Sequence, residues 1–349
     1  MTHLSLEEAL AFNRSCPVVD LHCDTLLKVG PDRGLGHRRA DTHLDLPRLG
    51  EAGVSGQFFA CYIEPQHVSY RALERTLEMI EAFYGEAAAN PSRLVPAVGA
   101  SGIRQAHREG KVAGLLAVEG GEALQGNLGL LSTLYRLGVR SLTLTWNFRN
   151  ALADGWQESR TGGGLSRFGA LVVKEMGQLG MLVDVSHLSD AGFRQVLEET
   201  SGPVIASHSN ARAVCEHPRN LTDEQIRALA ARGGVMGLNL APGFLRAGAG
   251  RPVAAGRPVA AGTDGGEPVK ATLADALDHV DHIVQLVGPA HVGLGLDLDG
   301  IYSLPEGFQD VASLPRLTQG LFERGHSPET VRAILGGNFL RVMEEVGAV

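Results

Sequence analysis

Eight short apolar runs recur along the chain, most separated by an amphipathic stretch, and this alternation constrains the fold more than any other feature. The runs are Val18–His22, Gly56–Tyr62, Ala113–Val118, Ser141–Thr145, Met181–Val185, Val204–Ser207, Val235–Asn239 and Val292–Leu296. Most are continuously apolar, as parallel strands covered on both faces require. Helical periodicity lies between them at Tyr70–Ala88, Leu128–Leu137, Leu165–Leu179, Ala191–Glu199, Asp223–Arg232 and Leu273–Val287. Thr222, followed by Asp223 and Glu224, has the chemistry of an N-cap with acids in the first turn. Eight strands alternating with helices predict an α/β fold, either a TIM-like (β/α)8 barrel or an open doubly wound sheet. The 349 residues suit one barrel domain with insertions, and no linker divides the chain.

One segment breaks the alternation. Residues 250–261 spell GRPVAAGRPVAA, a six-residue unit written twice, inside a Gly/Ala/Pro-rich insertion at about 247–268. The expectation is a flexible surface loop; a mobile flap over a site is the alternative, because the loop follows a strand on the side where barrels carry function.

Composition narrows the partners. A net charge of −8 with no Lys/Arg cluster argues against nucleic acid or an anionic membrane. The first residues, MTHLSLEEALAFN, look like a short amphipathic helix and not a signal peptide, and no apolar run is long enough to span a bilayer, so a cytoplasmic location is expected. Cys16, Cys23, Cys61 and Cys215 form no CxxC pair and are expected to be free, buried thiols.

The chemistry gathers at strand ends. His22 and Asp24 are two apart after the first run, so an extended backbone turns both to one side. Glu119 closes the third run ahead of two glycines, and a carboxylate there is costly to bury unless paired or bound to a metal. His187 and His208 follow the fifth and sixth runs, and Asp297 follows the eighth. Each residue alone has a structural explanation, as a cap or a satisfied core side chain. All five strand ends together point to a centre for two divalent ions, such as Zn²⁺, with a shared carboxylate. Asp297 would then move a proton in the hydrolysis of an amide, ester or phosphoester, among which spacing does not choose.

The segments VVDLHCDT, LLAVEGGEAL, LGVRSLTLTWN, ADGW, LGMLVDVSHLS, PVIASHSNARAVCEHPRNLTD and VGLGLDLDG together resemble the renal (membrane) dipeptidases, the M19 type of zinc peptidase, over about Val18 to Val346. The resemblance implies a (β/α)8 barrel of the metal-dependent hydrolase type. It implies that His22 and Asp24 bind one zinc, His187 and His208 complete a second site, and Glu119 bridges the two. Asp297 becomes the general acid/base, and Arg219 holds the terminal carboxylate of the substrate, for which a guanidinium fork is well shaped. Gln57 and Tyr62 resemble a pocket-lining strand, and Asp154 and Trp156 a loop-shaping pair. Where animal members carry a histidine that contacts the reacting carbonyl, this chain has Trp146, a donor only. Asn147, Asn150 or a zinc ion then becomes the electrophile, or Trp146 is a pocket or core wall.

The resemblance thus implies a dipeptidase acting on L–L and L–D dipeptides, with a homodimer suggested by the family alone. Another amidohydrolase-type reaction, on a lactam or small amide, is the second reading, and a non-catalytic binding module the third.

Overall fold

Continuous apolar runs need cover on both faces, and the chain provides it by closing the sheet on itself. The computed structural model describes residues 4–347 except 31, 69, 251–252, 255–256 and 259–268. Eight parallel strands form a closed barrel: β1 Val19–Cys23, β2 Gly56–Tyr62, β3 Val112–Glu119, β4 Val139–Thr143, β5 Leu182–Asp184, β6 Ile205–Ala206, β7 Val235–Leu238 and β8 Val292–Leu294. β1 pairs with β8, and closure comes from β2, which runs beside β3 from Gly56↔Ala113 to Tyr62↔Glu119. The barrel resolves the choice that the pattern left open. A short strand, Leu94–Pro96, adds to the first residues of β3 outside the eight.

Every expected strand and helix exists, most with shifted ends, β2 keeping its expected Gly56–Tyr62. Leu273–Val287 has the expected bounds, and Thr222 caps Asp223–Ala231 through a reciprocal capping box with Gln225. The amino-terminal helix is Leu6–Arg14, capped by Ser5 and Glu8 in the same way. Helices Leu46–Ala52, Ala100–Arg108, Leu314–Glu323 and Asn338–Glu345 lay outside the sequence expectation. The last packs Phe339, Leu340 and Met343 with Val19, Phe58, Ala113, Leu182 and Val235, which lie among the first three residues of their strands. Phe58 meets Phe339 edge to face at 5.3 Å, so this end of the barrel is plugged and the carboxyl-terminal end is left for chemistry.

Strands β5 and β6 stop one residue earlier than expected, and β8 two residues earlier. Beyond those points backbone groups turn to side chains instead of neighbouring strands: Ser186 N and Ser207 N donate to Asp184, and Leu296 N donates to Asp20. All four cysteines are free and buried. No described helix is long and apolar enough to cross a membrane. In the duplicated segment, Val253–Ala254 of one copy pairs antiparallel with Arg257–Pro258 of the other. Apart from Gly250, the remainder of the repeat, and with it the flap reading, lies outside the described residues.

Candidate metal centre

Strand register assembles the first part of the site. Tyr62, Glu119, Thr143 and Asp184 are successive lateral partners across β2 to β5. His22 lies within β1 and Asp24 one residue beyond it. His187 and Asp297 come from turns, both with left-handed backbone (φ 65° and 61°), a conformation that few side chains other than glycine adopt freely.

The six expected residues meet, all at 9% exposure or less. Glu119 stands in the middle. Its Oε2 is 3.4 Å from His22 Nε2; its Oε1 is 3.1 Å from His187 Nε2 and 3.9 Å from His208 Nε2. His22 Nε2 is also 3.4 Å from Asp24 Oδ2. Two groups have ligand atoms within 4.8 Å of one another: His22, Glu119 and His208, and His22, Asp24 and Asp297.

The donor set fits divalent metal. Imidazole nitrogens and carboxylate oxygens are the ligands that zinc accepts. His22 Nε2 and Asp24 Oδ1 are buried with no hydrogen-bond partner, an arrangement that costs free energy unless a cation satisfies them. A Cβ at Gly300 would collide with Asp24 Oδ2 and Asp297 Oδ1, so the glycine keeps this cradle open.

The field around these groups is uneven. Burial depresses the basicity of His22, yet the charges of Asp24 and Glu119 outweigh it and hold the imidazole well above its ordinary value. A cation competes with that proton for the same negative field. Burial and the charge of Arg219 push His187 down to about 4, and burial with the charge of His22 drives His208 well below 6.5. Burial alone would raise Glu119, but His22 and His187 hold it far below the usual carboxylate range. Burial and Glu119 lift Asp24 to about 6. Burial also lifts Asp297 to about 7, with Asp24 and Glu119 raising it further and His22 and Arg219 opposing.

Partners that the sequence did not disclose hold the set. Asp297 Oδ2 accepts from Asn239 Nδ2 at 3.0 Å. His208 Nδ1 lies 2.7 Å from Ser207 Oγ, which is 2.5 Å from Asp184 Oδ2; Thr143 Oγ1 donates to the same oxygen at 2.7 Å. Asp184 lay in plain view in the DVSH segment, but its position inside an apolar strand gave no hint that it served the next strand. Asp20, raised to about 6 by burial, sits one layer below His22 and accepts from Leu296 N and Gln57 Nε2. Gln57 is therefore beneath the site and does not line a pocket at its mouth.

The substrate-side candidates divide. Arg219 is buried, donating through Nη1 to Ser209 Oγ at 3.3 Å and through Nη2 to His208 O at 3.1 Å. Its Nε–H has no partner, and no carboxylate pairs with it among the described residues. Burial lowers it only to about 10, so it stays charged. Trp146 faces Tyr62 at 5.3 Å, Phe148 at 5.7 Å and His187 at 6.3 Å. Asn147 turns its Oδ1 to His187 Nδ1 at 2.7 Å and receives Trp156 Nε1–H at 2.6 Å. Asn150 is committed to its own turn: Nδ2 donates to Leu144 O, and Oδ1 accepts from Leu152 N and Ala153 N. It does not supply the electrophile considered for it. Asp154 accepts from Arg149 and Thr161 and organises the loop as expected.

Comparison with known proteins places this geometry. The family model for membrane dipeptidase, peptidase family M19, matches residues 6–349. The chain is 34% identical to dipeptidase verJ of Clonostachys rogersoniana over 365 residues, 99% of this chain and 88% of that protein. Among solved structures it is similar to dipeptidase AC, an M19 metallopeptidase (31% identity, TM-score 0.84, 96% of this chain and 99% of that one). It is equally similar to a metallopeptidase of Rhodobacter sphaeroides bound to a phosphinate mimic of the dipeptide L-Ala-D-Ala (31% identity, TM-score 0.83, 95% and 99%).

Proposed function

Since the chain belongs to the membrane dipeptidase family and is a metal-dependent hydrolase of peptide bonds, we propose that it is a binuclear zinc dipeptidase. His22 and Asp24 would hold one ion, His187 and His208 the other, and Glu119 both. The observation that carries this reading is the division of Glu119, with one oxygen toward His22 and the other toward His187 and His208. When bound, such ions lower the pKa of water and polarise a carbonyl.

The chain's own residues do the rest. Asp297 carries a proton between the attacking water and the leaving amine: Asn239 fixes Oδ2, and a carboxyl lifted to about 7 changes protonation state near neutral pH. Arg219 receives the substrate's terminal carboxylate on its free Nε–H, because a buried, charged guanidinium without an anion is costly until one arrives. This limits the substrate to a short peptide with its carboxylate near the scissile bond. Tyr62 and Trp146 form an aromatic wall for a side chain, and Trp146 takes no part in proton transfer. Both L–L and L–D dipeptides fit this reading; the dipeptide mimic bound by the Rhodobacter sphaeroides protein supports the L–D arm.

Release of free amino acids from L–L and L–D dipeptides and one tripeptide, with zinc supplied or chelated, tests it. Chelator-sensitive cleavage of dipeptides alone is expected. Turnover of a lactam with no dipeptide cleavage would favour the amidohydrolase alternative, for which Trp146 is the motivating residue.

A further inference from the structure

His187 reaches Glu119 through Nε2, so its usefulness as a ligand depends on which ring nitrogen carries the proton. The structure answers this without any observed hydrogen. The indole N–H of Trp156 only donates, and it lies 2.6 Å from the side-chain amide of Asn147. The atom facing it must be the amide oxygen. That same oxygen lies 2.7 Å from His187 Nδ1, which must therefore donate. The neutral ring then keeps its lone pair on Nε2, which meets Glu119 Oε1 at 3.1 Å and His208 Nε2 at 2.8 Å. Ser207 Oγ donates to Asp184, so His208 Nδ1 donates to Ser207 and its Nε2 is an acceptor too. Three acceptors thus converge, an arrangement that a shared cation reconciles.

The loop that supplies Trp156 is latched to the strand ends it serves. Trp156 N donates to His187 O at 2.8 Å, Gln157 N to Asn147 O at 3.0 Å and Gly155 N to Phe148 O at 3.2 Å. The indole therefore arrives in register with both partners.

We propose that Trp156 and Asn147 are positioning residues which lock His187 in its Nδ1–H tautomer and so keep Nε2 available to a cation; the cation half of this rests on the zinc reading above. Phenylalanine at 156 keeps a ring there but frees the Asn147 amide to turn its NH2 toward Nδ1. The proton then moves to Nε2, where it blocks ligation. Outer partners of metal-bound histidines contribute about 10- to 100-fold in affinity.

The test uses the full chain, zinc alone as probe, and two readouts. Nitrogen-15 spectra of the metal-free protein report the His187 tautomer, and chelator competition reports zinc affinity. Trp156→Phe is expected to shift the tautomer and to weaken one zinc equivalent by about 10- to 100-fold, leaving the other unchanged. Adding Asn147→Asp should restore both, because a carboxylate presents an acceptor whichever way it turns. Retention of Nδ1–H in metal-free Trp156→Phe, or failure of Asn147→Asp to rescue, would overturn the proposal. If the wild type takes up no zinc, the metal reading fails, and the metal-free spectra still decide the lock.

Discussion

His22, Asp24 and Asp297 stand at the ends of β1 and β8, whereas His187 and His208 stand past β5 and β6, and the two groups are held by different means. The first is rich in carboxylate and leaves buried atoms unpartnered at His22 Nε2 and Asp24 Oδ1. The missing side chain at Gly300 keeps its cradle open, while Asp297 is aimed by a left-handed backbone, which His187 shares, and by Asn239. Asp299 adds a strut, accepting from Thr25 Oγ1, Lys28 Nζ and His43 N and so tying the loop after β8 to the loops after β1. The second group is neutral imidazole, with each ring backed by a hydrogen-bond relay, Asn147 and Trp156 behind His187, Ser207 and Asp184 behind His208. Where charge gathers, geometry has to hold like charges apart. Where ligands are neutral, the proton has to be kept off the ligating atom.

Substitutions can break or sharpen this contrast. Glu119→Gln should have the largest effect, because the residue faces both halves. Metal content by elemental analysis should fall at both sites, with activity reduced beyond the ~10- to 100-fold typical of an outer partner; a fully occupied and active variant would remove the bridge. Asp297→Asn should cost on the order of 10²- to 10⁴-fold in kcat while metal content holds. Loss of metal instead would make Asp297 a ligand and the first half more like the second. Arg219→Ala lies outside both halves and should reduce kcat/KM for dipeptides by about 10- to 100-fold, since hydrogen bonds to charged groups contribute about 1.5–3 kcal/mol. An equal loss on a carboxylate-free amide would count against its role. Gly300→Ala should be smallest, destabilising by about 1–3 kcal/mol in thermal unfolding through crowding of Asp24 and Asp297. It should weaken zinc only in the first half; weakening in both would mean that the halves share one scaffold.

Periodicity disclosed eight parallel strands but not their closure, which the family resemblance supplied; parallel strands buried on both faces must be apolar throughout and leave their polar residues where they stop. His22, Asp24, Glu119, His187, His208 and Asp297 were legible for that reason, and Arg219 through the family resemblance. Gln57 shows the limit. Its strand was expected correctly, but its distance below the site depends on register with Asp20, which no local pattern records. Asn147 was expected to face substrate; that its oxygen faces Trp156 and His187 is a second role which no pattern along the chain records.

The sequence by itself determined which residue types arrive at the barrel's open end, since order along the chain and apolar patterning place each strand terminus. Only the tertiary structure decided how they act there. The tautomer of His187, the two-sided reach of Glu119 and the open cradle at Gly300 depend on atoms from strands and loops far apart in the chain, brought within hydrogen-bonding distance by closure of the barrel and invisible to any pattern read along it.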